Sequence, residues 1–113
     1  MKPFGNGLRV DALVAGERYV QRVGSAVVAG RAPRTLISTR LASEIADAPG
    51  PKKCSRLPWF GKVCGISTRV AVALPDCQAV KVRAVAVPLP RGADLIIGAD
   101  VLGRVRCRRR GGR

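Results

Sequence analysis

Histidine is absent from the sequence. That gap removes the Ser-His-Asp and Cys-His routes to nucleophilic catalysis, which need an imidazole to carry the proton. The four cysteines (Cys54, Cys64, Cys77 and Cys107) include no C-x-x-C pair, so the spacing of a structural zinc site is missing too. No metal and no cofactor is expected. Aromatic residues are scarce, with one Trp, one Tyr and two Phe. Val, Ala, Leu and Ile must therefore fill the core, and a Val-rich chain favours strands. No apolar run approaches the ~20 residues that span a bilayer, and the first residues lack the apolar stretch of a cleaved signal peptide. The reading is a cytoplasmic protein with no membrane contact.

Acidic residues are also in short supply, 7 Asp+Glu against 21 Lys+Arg, for a formal charge of +14. Such a field attracts nucleic acid, anionic lipid or acidic protein without choosing among them. Amide side chains are few, Asn6, Gln21 and Gln78 alone, a composition associated with hyperthermophiles. Intracellular proteins of those organisms can be rich in disulfides. The cysteines are read either as four thiols or as disulfides, with Cys54 and Cys64, which bracket a short segment, as the favoured pair.

At 113 residues the chain fits one domain with one core. Residues 8–14 and 18–28 read as strands joined by the turn at 15–17, with a bulge at Gly24. Residues 35–37 form a short strand, and Ser38 or Thr39 caps a helix whose Leu41, Ala42 and Ile45 share one face. Pro49-Gly50-Pro51 stops that helix. Residues 52–65 are a loop or the arms of a long hairpin. Val70, Val72 and Leu74, then Val80 and Val82 beyond a Pro75-Asp76 turn, alternate with small or charged residues as two strands. The apolar parity slips to Val85 and Val87, which predicts a bulge or bend after Ala84. Leu95-Ile96-Ile97 is an apolar strand, and residues 99–102 suit a short helix. The expected fold is all-β and mainly antiparallel, a small closed barrel with one or two short helices. A domain at 1–103 is followed by an Arg-rich tail at 104–113.

Two segments resemble the retropepsin-like aspartic proteases. Leu95-Ile96-Ile97-Gly98-Ala99-Asp100 matches the family's two apolar residues, a glycine, then x-Asp, before a short helix. Residues 26–38 resemble its apolar strand, Asp-Thr/Ser-Gly-Ala turn and following Thr/Ser-x-Ile-Ser strand, and Leu41-Ala42 fall where the family places a Leu-Ala pair. The similarity spans about residues 8–103 and implies an acid-protease barrel that pairs as a homodimer. The turn departs from the pattern. Ala29 stands where the catalytic Asp belongs, Gly30 where Thr/Ser belongs and Arg31 where Gly belongs. In the family two Asp side chains from paired subunits share a proton and activate a water, and alanine can do neither. Gly30 lacks the hydroxyl that bonds across the dimer, and Arg31 would set like charges together there. A lone Asp→Ala change accounts for position 29 only, whereas natural loss of catalysis accounts for all three.

The resemblance also places a flap at 50–65, with Trp59 and Phe60 at its tip, either stacking on a ligand or covering the core. Ile96, Ile97, Gly98 and Asp100 are then structural. Arg104, Arg106, Arg108, Arg109, Arg110 and Arg113 form either a phosphate-binding arm or a solvated tail. The leading expectation is a non-catalytic retropepsin-like module that binds peptide or protein or associates with itself. A basic nucleic-acid-binding domain is the alternative, and an active aspartic protease follows only if the register at Ala29 is misread.

Overall fold

The computed structural model describes residues 8–17, 19–45, 50–57, 61–89 and 92–107. Seven strands and two short helices follow in the order β1 (Leu8–Ala15), β2 (Val20–Val28), β3 (Leu36–Ser38), α1 (Thr39–Ile45), β4 (Lys52–Leu57), β5 (Gly61–Ala73), β6 (Val80–Val87), β7 (Leu95–Ile97) and α2 (Ala99–Leu102). They form one sheet in the order β1-β2-β7-β3-β6-β5-β4, with a further antiparallel pairing of Leu13–Ala15 in β1 to Ala71–Ala73 in β5. The all-β expectation holds in its coarse form. The sheet is mixed, however, because β2–β7 and β3–β6 run parallel while the remaining pairs are antiparallel.

Local chemistry accounts for several boundaries. Val10 pairs with Ala26 but Ala12 pairs with Val23, so β2 carries one extra residue around Gly24 and Ser25 opposite Asp11, the expected bulge. Ser38 Oγ accepts the Leu41 N–H at 3.1 Å and caps α1, and the same hydroxyl donates to Asp94 at 2.9 Å. Leu41, Ala42 and Ile45 are the buried face of that helix. Between β5 and β6, Cys77 N–H closes a turn on the Leu74 carbonyl at 3.0 Å. Pro75 sits where its fixed φ suits position i+1, and Asp76 takes φ 60° at i+2, the backbone of a type II turn.

β7 is the centre of the fold. Leu95, Ile96 and Ile97 are each 0% exposed, as expected of a short strand covered on both sides. Its alternation feeds two separate apolar clusters. Leu95 and Ile97 join Ile37, Ile45, Val72 and Val101 in the larger one. Ile96 faces the other way and joins Val27, Ala29, Ala32, Leu36, Leu57, Val85 and Val87.

The second cluster corrects the expected irregularity after Ala84. The β5–β6 ladder keeps one register from Ile66↔Ala86 to Val72↔Val80 without a break. The parity changes because the second face of the ladder changes its cover. Val80, Val82 and Ala84 line the larger cluster on one face. On the opposite face Lys81 and Arg83 lie towards solvent, while Val85 and Val87, one step further along, are buried in the smaller cluster.

Candidate functional site

The two motif segments are physically joined. Ile96 and Ile97 of β7 run parallel to Val27 and Val28 of β2, so the end of β2 and the end of β7 emerge side by side. Beyond them the backbones interlock. Ala29 N–H donates to the Ile97 carbonyl at 2.9 Å, Ala32 N–H to the Ala29 carbonyl at 3.0 Å, and Ala99 N–H to the Ala32 carbonyl at 2.7 Å. Residues 29–32 are therefore a tight turn resting on the β7–α2 junction. Gly98 is required at that junction. A Cβ there would lie 2.6 Å from the Arg34 carbonyl oxygen and 2.7 Å from that of Ala32, inside contact distance.

Beneath the turn lies a polar clasp. Thr35, 0% exposed, donates its hydroxyl to Asp100 at 2.7 Å and its N–H to the second oxygen of the same carboxylate at 3.0 Å. The Thr35 hydroxyl in turn accepts the Gly98 N–H at 3.1 Å, and Asp100 also accepts its neighbour's N–H from Val101 at 2.8 Å. Charge-assisted bonds of this kind are stronger than neutral ones. They fasten the start of β3 to the start of α2 across 65 residues of sequence. Asp100 thus spends its carboxylate on holding backbone. A second, looser clasp joins Asp94 to Ser38 and Arg40, the latter at 2.9 Å; this bond and the Asp94 charge raise the Arg40 pKa.

The tip of the turn carries no comparable chemistry. The Ala29 methyl is 9% exposed and belongs to the apolar cluster. Gly30 and Arg31 are exposed. A Cβ on Gly30 would meet nothing closer than Leu102 Cδ1 at 3.8 Å, so the position has room for a side chain and carries none. No group of three or more His, Cys, Asp or Glu that could hold a metal ion occurs among the described residues.

The β4–β5 hairpin leans on this side of the molecule. Its legs pair from Lys52↔Ile66 to Leu57↔Gly61, so residues 52–57 and 61–65 are hairpin arms. Leu57 packs in the cluster that contains Ala29. Ser55, on the same face of β4 as Leu57, has a buried Oγ without a hydrogen-bond partner among the described residues. Trp59 and Phe60 lie outside the described residues.

The Cys54–Cys64 disulfide is present and joins directly opposed residues of the hairpin arms. A second disulfide, Cys77–Cys107, was not singled out in the sequence. It anchors the segment after α2 to the β5–β6 turn, helped by the Gln78 N–H donating to the Arg106 carbonyl at 2.8 Å. Arg104 and Arg106 are exposed on this anchored segment, whereas Arg108, Arg109, Arg110 and Arg113 lie outside the described residues. In the sequence Thr35 reads as a strand residue and as the Thr/Ser of the Thr/Ser-x-Ile-Ser resemblance, with no partner assigned to its hydroxyl. No helix among the described residues is long and apolar enough to cross a membrane.

Comparison with protein-family models, with curated proteins and with solved structures gives no match. Function has to be read from these residues and their geometry.

Proposed function

We propose that the chain is a non-catalytic module of the retropepsin-like aspartic protease type. In this reading the mixed sheet is that family's small closed barrel, and the module binds a peptide or protein or associates with itself. The observation that carries the reading is the turn at 29–32 seated on the Ile97-Gly98-Ala99 backbone above the Thr35–Asp100 clasp. Such a seat would hold a catalytic carboxylate in a fixed place beside a two-fold axis, as paired aspartates require if they are to share one proton. Here the seat carries a methyl group. Ala29 neither accepts a proton nor orients a water, and no neighbouring residue in the turn replaces it. Peptide binding does not depend on that missing group. The disulfide-stapled hairpin is fastened to the same side of the molecule by Leu57, which is buried with Ala29 in one apolar cluster, so its arms stand beside the turn as the walls of a binding cleft would. A cytoplasmic location agrees with two disulfides if the cell is of the hyperthermophile kind that its amide-poor composition suggests.

The exposed Arg31 guanidinium sets the expected oligomer. Two turns meeting tip to tip would bring two such charges together, so self-association through this edge is weak at low salt and strengthens when salt screens it. Sedimentation of the oxidised protein and of Arg31→Gly tests this: the variant is expected to dimerise more tightly. Catalysis is tested by incubating the unaltered protein with an unstructured polypeptide from pH 3 to 7. No turnover is expected. Cleavage blocked by a statyl-type transition-state mimic would show that the register at Ala29 is wrong and that another aspartate does the work.

A further inference from the structure

The β5–β6 ladder that positions the turn also builds a groove of about 600 Å³ at its far end, lined by Arg69, Lys81, Arg83 and Arg104 with Glu17 at the rim. We propose that this groove binds the phosphodiester backbone of a nucleic-acid strand, a role separate from that of the turn.

Register makes the feature unusual. Arg69 and Arg83 are directly opposed across the ladder, and Lys81 is opposed to Ala71 one step along the same face. Like charges facing each other across an antiparallel pair oppose folding, so pairing these two arginine positions comes at a cost to the sheet's own stability. Arg104 adds a fourth cation, its Nη1 donating to the Lys81 carbonyl at 3.0 Å. That bond fixes the stem and leaves other guanidinium donors available.

Among the described residues no acid neutralises the cluster. The ion pairs there join Arg22 to Asp11 and Arg40 to Asp94, both elsewhere. Four cations therefore face one carboxylate, Glu17, which comes within ion-pair distance of none of them.

The chemistry of the walls selects the ligand class. Arginine pairs bidentately with phosphate. Side chains two apart on β6 repeat at roughly 6.7 Å, a spacing on the scale of one nucleotide step along a strand. A protein partner would need a buried aromatic or aliphatic anchor, and the groove offers none: the side chains of Val70 and Val82 are turned into the core, while Ala15, Gly16 and Ala71 are small. With no aromatic residue in the lining to stack a base, binding is to the backbone and carries little sequence preference.

The test is fluorescence anisotropy of a labelled 20-nucleotide single strand with the oxidised full chain over a salt series. Lys81→Ala/Arg83→Ala is expected to weaken binding about tenfold or more near 0.1 M salt. The double variant should also flatten the log–log salt slope by about 1.4, at ~0.7 for each phosphate that is no longer neutralised. Arg69→Glu is the sharper variant. It replaces a repulsive cross-strand pair with an attractive one, so its Tm should rise while its affinity falls, which a purely structural role would not produce. Changing Arg108, Arg109, Arg110 and Arg113 to Gln should leave the effect of the groove variants in place. Groove variants that bind like the parent protein would overturn the proposal. So would a glutamate polymer competing as well as the oligonucleotide at equal charge, which would assign the groove to an acidic protein.

Discussion

The turn at 29–32 and the clasp beneath it share backbone hydrogen bonds and differ in what their side chains do. In the clasp, Thr35 is fully buried and its N–H, carbonyl and hydroxyl are all hydrogen-bonded, while Asp100 accepts three hydrogen bonds. At the tip, Ala29 contributes a methyl group, Gly30 nothing and Arg31 an exposed charge. The clasp is maintained by folding itself, because a buried donor or acceptor without its partner costs about 1–3 kcal/mol. Folding asks only for a small apolar group at the buried Ala29 and for no particular group at the exposed Gly30 and Arg31. On the reading proposed above, the backbone of the turn and the group it carries thus answer to different constraints, so the first can outlast the second.

Stability measurements can break that contrast. The largest loss belongs to the floor under the seat. Ile96→Ala opens a cavity at a fully buried centre of the sheet and should cost about 4 kcal/mol in chemical denaturation. Next is the Cys77–Cys107 disulfide, which closes 30 residues. Replacing both cysteines by serine should cost roughly 3–4 kcal/mol, more than the shorter Cys54–Cys64 link, if loop entropy dominates. Thr35→Val removes the clasp hydroxyl and strands the Gly98 N–H, at about 2–3 kcal/mol. The smallest effect is expected at the tip. Gly30→Ala should lie within about 0.5 kcal/mol of the parent, since its new Cβ meets only Leu102 at ordinary contact distance. If Gly30→Ala cost as much as Thr35→Val, turn and clasp would be one structural unit and the contrast would fail.

Much of the local architecture was legible in the sequence, because it is governed by neighbours in the chain. Alternating Val at 70, 72, 80 and 82, the Pro75-Asp76 turn, the Ser38 cap and the Gly24 bulge each follow from residues a few positions apart. The parallel pairings of β2 with β7 and β3 with β6 were not legible, since short apolar strands carry no label for their distant partners. The shift of parity at Val85 pointed to a bulge only because one sheet face was taken to be uniform, whereas that face is wet at Arg83 and covered at Val85. Asp100 was legible as a structural residue. Its bond to Thr35 was not, because 65 residues separate them.

In the proposed function the protein keeps a seat for a catalytic aspartate and lacks the aspartate. The most direct test is peptide cleavage by Ala29→Asp/Gly30→Thr/Arg31→Gly beside the parent protein across pH 3–7. The new carboxylate would sit among apolar neighbours, which favours its protonated form. The stability that the variant loses relative to the parent should therefore be smaller in acid than at neutral pH. The account predicts acid-pH cleavage by the triple variant, blocked by a statyl-type inhibitor, and none by the parent. A folded, dimeric triple variant with no cleavage at any pH would contradict it.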